Sequence, residues 1–383
     1  MTEASTERHS GAYVVLGVDG GGTRTSLRVG LAGRAADELA GAPCPASGHR
    51  PWRVLREITV DAPLHGTVGP EAYPGSLTGI LEAADEILDE EGQHNAPVVV
   101  AIGAAGVTSA TRDDMERALV DALQGAMGGR IRAAVACNDV VALLVGHAAD
   151  GAIIAGTGSN VLLRVGMSAH PPTIAVPAAE DLIQVGGQDW VVSDEGSGFW
   201  VGLTGMRQAY RDVEDGVASE LACRLLSAYG LGPGQAPELI PHLRGAAVAG
   251  PDMKRGVARF AVSVCEAARA GDAAAQDLVR AQAEALADRM ALGMRRHLGP
   301  RRWDRGMRFV QCGGLIGNDF FRRRFEERLA MRTGAGCDWP VEWLRVQDGL
   351  DAVTAMGCAL ADPRERRRLC SPAARQPHWV GVS

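Results

Sequence analysis

The hydrophobic positions of the chain fall into short apolar runs that alternate with longer amphipathic stretches. Residues 13–19 form one apolar run, a cluster of three glycines follows, and the apolar pattern resumes over residues 26–30. This succession predicts a β-hairpin with a glycine-rich turn. A second hairpin is predicted from residues 152–155 and 161–166, and both returning strands end in Leu-Arg-Val-Gly. A repeat at a spacing of about 135 residues is too long for a solenoid and predicts two related domains.

The rest of the pattern predicts strands and helices in alternation. Strands are predicted over residues 97–103, 131–137, 307–312 and 341–346, and helices over 77–91, 111–124, 199–212, 217–229, 254–270, 272–298, 318–332 and 350–362. Such alternation is typical of the α/β class, with a mixed sheet flanked by helices in each domain. We expect an N-terminal domain over residues 12–142, with the helix at 350–362 as a candidate to pack back on it, and a C-terminal domain over 143–349. Residues 1–11 and 363–383 are predicted to be flexible ends.

The glycine content adds to this picture. Glycine accounts for 49 of the 383 residues, against a usual share of about 7%. No Gly-X-Y period accompanies the excess, which excludes a collagen-like chain. Glycine allows tight turns and lets the backbone come close to a ligand. The glycine clusters in the two hairpin turns are therefore candidate ligand-binding segments.

Charge, hydropathy and cysteine spacing exclude several kinds of partner. The formal net charge of −7 argues against a general nucleic-acid binder. No apolar run approaches the length of about 18 residues that indicates a membrane span, and the N-terminus lacks the apolar segment of a signal peptide. The eight cysteines form neither a C-x-x-C pair nor a zinc-type spacing with histidine. We therefore expect a cytoplasmic protein with reduced thiols and with neither a nucleic acid nor a membrane as partner.

Lysine is nearly absent from the chain. The 39 lysine and arginine residues include a single lysine, Lys254. This lysine does not lie in a G-x-x-x-x-G-K-[ST] sequence, so the chain has no P-loop, and the V-A-I-K, G-x-G-x-x-G, G-x-S-x-G and H-E-x-x-H motifs are absent too. We therefore expect any phosphate-binding site to work through backbone amides and a metal ion.

The turn of the first hairpin reads Asp19-Gly20-Gly21-Gly22-Thr23. Three adjacent glycines let successive backbone N–H groups point at one anion, which bulkier residues would prevent. An aspartate beside a phosphate needs a cation between them, and Mg²⁺ prefers hard oxygen ligands. Asp19 is thus a candidate metal ligand and residues 20–23 are candidate phosphate ligands. The alternative is a plain glycine-rich turn.

The second hairpin turn offers similar groups. Gly156, Thr157, Gly158 and Ser159 supply further backbone amides and two hydroxyls. Two such hairpins from two domains could grip a polyphosphate from both sides, while a purely structural hairpin is the alternative. The pair Gly313-Gly314 follows a predicted strand and could admit a flat base against the backbone.

Two acidic segments complete the set of candidates. Asn138-Asp139 stands between a predicted strand and an apolar helix, so Asp139 is either a helix N-cap or a general base at the carboxyl end of a strand. Residues 186–200 combine carboxylates, glycines and two tryptophans. This composition suits a polyhydroxylated ligand, because aromatic faces stack on its C–H groups while carboxylates accept its hydroxyl hydrogens. The alternative is an N-cap region for the helix that follows.

These motifs occur together and in a recognisable order. They are Asp-Gly-Gly-Gly-Thr-Arg-Thr at 19–25, Asn-Asp at 138–139, Gly-Thr-Gly-Ser-Asn at 156–160, Asp-Glu-Gly-Ser-Gly at 194–198 and Cys-Gly-Gly at 312–314. Over about residues 13–362 the chain resembles the BadF/BadG/BcrA/BcrD ATPase group of the actin-like superfamily. Within that group it is most similar to the N-acetylglucosamine kinases. The ordered set is specific at the level of the fold, whereas no single motif is.

The resemblance implies an α/β fold with two actin-like (ribonuclease H-like) domains that bind ATP and Mg²⁺ in the cleft between them. It also implies phosphorylation of a hydroxyl of an amino sugar, N-acetylglucosamine or a glucosamine-like compound, and we expect a homodimer. The roles that it implies are Asp19 for Mg²⁺, Gly20, Gly21, Gly22 and Thr23 for phosphates from one side, Gly156, Thr157, Gly158 and Ser159 for phosphates from the other side, Gly313 and Gly314 for adenosine, Asp139 as catalytic base, and Asn138, Asp139, Gln188, Asp194 and His49 for the sugar.

Two departures from the family pattern concern the acceptor. The sugar kinases have Gly-Gly-Trp-Gly before the acidic loop, where this chain has Gly187-Gln188-Asp189-Trp190, and His49 stands near the place of a family asparagine. Another sugar or a cyclitol is therefore an alternative acceptor. An ATPase activator of a radical dehydratase or reductase is an alternative of a different class, although the scattered cysteines lack a convincing set of cluster ligands. A non-catalytic nucleotide-binding regulator is the third possibility.

Overall fold

The computed structural model of the chain describes residues 12–20, 25–32, 52–60, 64, 73–105, 107–108, 110–165, 174, 179–188, 192–248, 252–298, 306–333, 341–371 and 379–383. In chain order its strands are β1 (Tyr13–Gly20), β2 (Thr25–Ala32), β3 (Trp52–Val60), β4 (Val98–Ala104), β5 (Ile131–Cys137), β6 (Gly151–Ala155), β7 (Ser159–Arg164), β8 (Leu182–Val185), β9 (Met307–Cys312), β10 (Val341–Val346) and β11 (Trp379–Val382). Its α-helices are α1 (Tyr73–Glu90), α2 (Arg112–Gly125), α3 (Asp139–Gly146), α4 (Gly198–Glu214), α5 (Glu220–Ala228), α6 (Leu239–Val248), α7 (Asp252–Arg269), α8 (Ala273–His297), α9 (Asp319–Thr333), α10 (Leu350–Ala361) and α11 (Pro363–Leu369).

The chain divides into two compact units, each built from separate stretches of sequence. Unit 1 contains the described residues of 1–149, 166–181 and 348–383, and unit 2 contains those of 150–165 and 182–347. The boundary predicted between residues 142 and 143 falls inside α3, and this helix lies whole within unit 1. Helix α10 is also part of unit 1, where it packs on β1 and α3.

Unit 1 is organised around a six-stranded mixed sheet with the strand order β11-β5-β4-β1-β2-β3. Strands β1, β2 and β3 form an antiparallel meander, and β4 and β5 run parallel to β1. The central strands are apolar almost without interruption, and every residue of β4 is buried. Continuous burial is expected of parallel strands that are covered on both faces.

Unit 2 repeats this topology with five strands in the order β10-β9-β6-β7-β8. Strands β6, β7 and β8 form the antiparallel meander, and β9 and β10 run parallel to β6. Helices α4, α7 and α8 contribute buried side chains to the same core as these strands. The prediction of an α/β fold with a mixed sheet in each half is therefore confirmed, and the internal repeat corresponds to a repeated topology.

Within residues 363–383, which were predicted to be a flexible end, the described residues include regular secondary structure. Residues 363–369 form α11, and β11 pairs antiparallel with β5 at the edge of the sheet. Trp379 is completely buried, and its Nε1 donates a hydrogen bond to the Leu369 carbonyl at 3.1 Å. The strand in this arginine-rich segment was not predicted, because a strand of only four residues carries little periodic signal.

No helix in the described ranges is long and apolar enough to cross a membrane.

Candidate functional site

The carboxyl ends of three parallel strands place the acidic candidates of unit 1 at one edge of its sheet. Asp19 near the end of β1 is in register with Gly103 of β4, and Gly103 is in register with Cys137 of β5. Asp139 follows two residues beyond Cys137. In open α/β sheets, ligands bind at the edge formed by the carboxyl ends of the strands.

The helix cap at this edge is Asn138 rather than Asp139. The Asn138 side chain accepts a hydrogen bond from the Val140 backbone N–H at 3.2 Å, and its Nδ2 donates to the Val107 carbonyl at 3.4 Å. Asn138 is buried and has extended backbone, as an N-cap requires. These contacts give Asn138 a structural role, and its predicted contact with a sugar stays a prediction. Asp139 is therefore not the N-cap of α3, a role that its position alone had suggested.

Asp139 lies in the first turn of α3 with an altered acidity. Burial raises the pKa of its carboxyl group to about 6, and the nearby Asp19 carboxylate acts in the same direction. The Val140 backbone N–H donates to Asp139 Oδ1 at 2.8 Å and partly offsets this rise. A carboxyl group with a pKa near 6 is ionised at neutral pH and is a stronger base than an exposed aspartate.

Asp19 is held by the segment that leads into α10. Its Oδ2 accepts a hydrogen bond from the Gly349 backbone N–H at 3.0 Å. Burial raises the pKa of Asp19, the Gly349 hydrogen bond lowers it, and the charge of Asp348 raises it. A Cβ atom at position 349 would lie 2.7 Å from Asp19 Oδ1, so only glycine permits this approach. The role of Asp348 and Gly349 was not predicted from the sequence, although an Asp-Gly pair immediately before a predicted helix was a usable signal.

These carboxylates fit the predicted Mg²⁺ ion. Asp19 and Asp139 are partly desolvated oxygen donors whose charges act on each other, and a cation between or beside them would relieve the repulsion. Among the described residues, no three or more His, Cys, Asp or Glu side chains form a closed metal cluster. A nucleotide-associated Mg²⁺ does not require one, since it commonly uses one or two protein carboxylates together with phosphate oxygens and water.

In unit 2, the second hairpin turn is bonded to the start of α4. The Gly156 carbonyl accepts from the Gly198 N–H at 2.7 Å, and the Thr157 carbonyl accepts from the Phe199 N–H at 3.1 Å. Ser159 Oγ donates to the Glu195 carbonyl at 2.9 Å. The predicted phosphate turn and the predicted acidic loop are therefore one connected structure.

The glycine pair after β9 joins the same structure. Gly313 has φ = +108°, a conformation that favours glycine. A Cβ atom there would lie 2.5 Å from the Ala155 carbonyl oxygen, which also accepts a hydrogen bond from the Leu315 N–H at 3.0 Å. An added Cβ at Gly314 would meet no described atom within 4 Å. Gly314 thus offers open backbone beside the end of β6.

Asp194 forms an ion pair that was not predicted from the sequence. The residue is 3% exposed, and its Oδ2 accepts a hydrogen bond from Lys254 Nζ at 3.2 Å. A Cβ atom added to Gly158 would lie 3.1 Å from the same oxygen. The carboxylate predicted to bind sugar hydroxyls is thus an ion-pair partner of the single lysine, next to the hairpin turn. The signal for Lys254 in the sequence was its uniqueness among the basic residues.

The remaining predicted residues are placed as follows. Gln188 is exposed, and its backbone N–H donates to Ser193 Oγ at 2.8 Å. Gly20 ends β1, where a Cβ atom would lie 2.7 Å from the Leu64 carbonyl oxygen. Gly21, Gly22, Thr23 and His49 lie outside the described residues. The structure therefore brings Asp19, Gly20, Asn138 and Asp139 together in unit 1, and it brings Gly156–Ser159, Asp194 and Gly313–Gly314 together in unit 2.

Comparison with known families identifies the class to which this fold and these sites belong. The sequence profile of the BadF/BadG/BcrA/BcrD ATPase family matches residues 16–341. The chain belongs to this family, so the prediction of an ATP-dependent enzyme is confirmed. No curated protein matches the chain.

Solved structures add information about the fold. A protein from Chromobacterium violaceum, described as a candidate N-acetylglucosamine kinase, is 19% identical, with 90% of this chain and 98% of that chain covered and a TM-score of 0.59. A ROK-family glucokinase from Streptomyces griseus, in complex with glucose and AMPPNP, is 17% identical over 90% and 98% of the two chains, with a TM-score of 0.43. A ROK hexokinase from Thermus thermophilus is 15% identical over 90% and 97%, with a TM-score of 0.47. The first likeness shows the shared actin-like fold, and the other two superpose too loosely to add to it.

Proposed function

We propose that this protein is an ATP-dependent kinase that phosphorylates a hydroxyl group of an amino sugar, with Asp139 as the catalytic base. The observation that carries the proposal is the position and acidity of Asp139, at the carboxyl end of a parallel strand, beside Asp19, with a pKa of about 6. Phosphoryl transfer depends mainly on positioning and charge neutralisation, together with one carboxylate oriented on the attacking hydroxyl.

Asp139 would take the proton of the acceptor hydroxyl as the oxygen–phosphorus bond forms. The Val140 N–H fixes Oδ1, so Oδ2 is the oxygen that receives the proton. A pKa near 6 keeps the carboxylate ionised at pH 7 while giving it more affinity for a proton than an ordinary aspartate has.

The proposed nucleotide contacts are those that the family resemblance implies. Asp19 would hold Mg²⁺, which when bound neutralises charge on the ATP phosphates. Backbone amides at Gly20 and within residues 157–159 would bind phosphate oxygens, and the open backbone at Gly314 would border the adenosine. The Gly156 N–H donates to the Gly158 carbonyl at 2.9 Å and helps to shape this turn. Each of these contacts uses a backbone group or a carboxylate that the fold already holds in place.

The amino-sugar acceptor is supported by the polar and aromatic character of the acidic loop and by the description of the C. violaceum protein. In that loop Trp200 Nε1 donates to the Ser193 carbonyl at 3.1 Å, which fixes the indole ring next to Asp194. Asn138, Gln188, Asp194 and His49 are the proposed acceptor contacts. A neutral sugar or a cyclitol is the alternative acceptor. A cytoplasmic homodimer is the proposed form of the enzyme.

The deciding experiment is a coupled assay of ADP release with Mg-ATP and a panel of amino sugars, neutral sugars and cyclitols. We expect ADP release with at least one amino sugar. A protein that binds Mg-ATP but releases no ADP with any member of the panel contradicts the kinase proposal. Iron in the anaerobically purified protein would favour the alternative of a dehydratase activator.

The role of Asp139 is tested by Asp139→Asn. We expect kcat to fall by about 10²–10⁴-fold, because the amide cannot accept the hydroxyl proton, while calorimetry shows little change in ATP affinity. Asp277→Asn is the matched control, since Asp277 is an exposed residue that pairs with Arg280 on α8, and its kinetics should equal those of the wild type. Wild-type turnover in Asp139→Asn would remove Asp139 as the base.

A further inference from the structure

The Lys254–Asp194 ion pair lies directly against the second hairpin turn. Lys254 Nζ is 3.2 Å from Asp194 Oδ2, and a Cβ atom built on Gly158 would lie 3.7 Å from the same Nζ. The Lys254 side chain is 23% exposed and that of Asp194 is 4% exposed. The Lys254 side chain therefore keeps some exposure to solvent while its ammonium group lies close to Gly158 of the turn.

The close contact between α4 and α7 places Lys254 against the second hairpin turn. Three glycines of α4 face α7: a Cβ atom at Gly202 would collide with the Val257 carbonyl oxygen, one at Gly205 would collide with the Val264 side chain, and one at Gly198 would touch Ala258. Because these positions lack side chains, the backbones of the two helices come close. The first turn of α7 is thereby brought to the acidic loop that precedes α4.

The residue type at position 254 is unusual for this chain. Every other basic residue among the 39 is arginine. Local helix stability does not explain the lysine, because a cation in the first turn of a helix is opposed by the helix dipole. Lysine differs from arginine in carrying a compact point charge, which binds phosphate without the planar fork geometry of a guanidinium.

The charges of Asp194 and Lys254 both act on any phosphate group bound at the second hairpin turn. Asp194 is a nearly buried anion next to Gly158, and it would repel a phosphate group bound by the amides of the turn. An ammonium group at the same place offsets that repulsion and adds attraction of its own. We propose that Lys254 is the phosphate-binding cation of the nucleotide site at this turn, held in position by Asp194. This inference rests on the proposed nucleotide site and extends it, since the sequence had indicated a phosphate site made only of backbone amides and a metal ion.

The first test compares ATP, ADP and AMP binding to Lys254→Met by calorimetry, in the presence of Mg²⁺. We expect ATP to bind about tenfold or more weakly, as for the loss of one charged hydrogen bond, ADP to lose less affinity, and AMP to be nearly unaffected. Arg280→Met is the matched control, since it removes a cation from an exposed pair on α8, and it should leave all three affinities unchanged. Equal losses for ATP and AMP, or no loss, overturn the proposal.

The double variant Asp194→Asn/Lys254→Met separates direct phosphate binding from neutralisation of Asp194. If Lys254 contacts phosphate, ATP binds more weakly to the double variant than to Asp194→Asn alone. If the loss caused by Lys254→Met disappears in the Asp194→Asn background, Lys254 serves only to neutralise the carboxylate, and the proposal fails.

A third measurement uses the wild-type protein and so does not depend on how a variant folds. Lys254 is the only lysine, so an amine-acetylating reagent modifies one side chain, and mass spectrometry reads its rate separately from that of the chain's α-amino group. We expect Mg-ATP to slow acetylation of Lys254 and AMP to leave it unchanged. An unchanged rate with bound Mg-ATP overturns the inference. Nucleotide binding without phosphoryl transfer contradicts only the kinase proposal, whereas absence of nucleotide binding overturns both.

Discussion

At the scale of single residues, the candidate site contains carboxyl groups with raised pKa values and a residue with an uncommon backbone conformation. Asp139 and Asp19 both have raised pKa values because they are buried near other carboxylates. Asp194 has φ = +78°, in the left-handed region that is uncommon for non-glycine residues, although asparagine and aspartate adopt it more often than most. Its carbonyl accepts the Ser197 N–H at 3.0 Å, and its carboxylate binds Lys254. Strained or desolvated groups of this kind concentrate at functional sites, where the surrounding structure compensates for their cost.

The acidity of Asp139 predicts the pH dependence of the proposed reaction. If Asp139 is the base, as proposed, only the ionised carboxyl group supports the reaction, so kcat/KM should fall about tenfold per pH unit below a pKa of about 6. A pH profile between 5 and 8 at subsaturating acceptor measures this acid limb. A profile that stays flat down to pH 5 would show that the base is a different group.

The same raised pKa predicts a gain in stability when the charge is removed. In the unfolded chain Asp139 has its ordinary pKa near 3.8, and folding raises that value to about 6. Above pH 6 the ionised group thus opposes folding by about 3 kcal/mol. Asp139→Asn should therefore raise the free energy of unfolding at pH 7.5 by up to about this amount. The gain should shrink as the pH falls through 6 and vanish below about 4, where both states are protonated. Urea unfolding at pH 7.5, 5 and 4 measures the trend, and a gain that grows toward low pH would contradict it.

Sequence information predicted some of these residues and missed others for physical reasons. A carboxylate after a buried strand and before an apolar helix was sufficient to single out Asp139. It did not identify Asn138 as the N-cap, since asparagine and aspartate both cap helices well. The Gly349–Asp19 contact was beyond reach because it joins positions 330 residues apart.

At the scale of secondary-structure elements, close contacts between helices depend on glycine positions that face a partner. The contrast between two helical glycines tests this dependence. Gly202→Ala on α4 would place a Cβ atom against the Val257 carbonyl oxygen, whereas Gly256→Ala on α7 would meet nothing within 4 Å. We expect Gly202→Ala to lower the free energy of unfolding by about 1–3 kcal/mol through overpacking. Gly256→Ala should raise it by about 0.5–1 kcal/mol through helix propensity. Chemical denaturation of both variants measures the difference, and equal effects would contradict the close contact.

The elements that the sequence predicted well are those with buried faces. Strands β1 and β4 read as continuous apolar runs because both of their faces are covered. Strands β3 and β8 were missed, because each lies at a sheet edge and none of their residues is fully buried. An edge strand has little apolar pattern, so its pairing is determined by the neighbouring strand rather than by its own composition.

At the scale of the whole molecule, the end of the chain supports the strand that presents Asp139. Trp379 of β11 is in register with Cys137 of β5, two residues before Asp139. Trp379→Ala should lower the free energy of unfolding by about 3–5 kcal/mol, as expected for removal of a fully buried aromatic side chain. Val217→Ala, at a position 52% exposed, is the control and should change stability by no more than about 0.5 kcal/mol. Differential scanning calorimetry compares the two variants, and similar transition temperatures would show that β11 contributes little.

The discontinuous composition of unit 1 has a consequence for how the protein is made. Residues 182–347 of unit 2 are synthesised between the N-terminal strands of unit 1 and its last segment, residues 348–383. As a chain emerges from the ribosome, domains fold in order of synthesis, yet Asp19 receives its Gly349 hydrogen bond only after residues 182–347 of unit 2 have been synthesised. A nascent chain that has not reached residue 348 therefore lacks both the pairing of β11 with β5 and the Gly349 hydrogen bond to Asp19. This half of the site is therefore completed only after the whole of unit 2 has been synthesised.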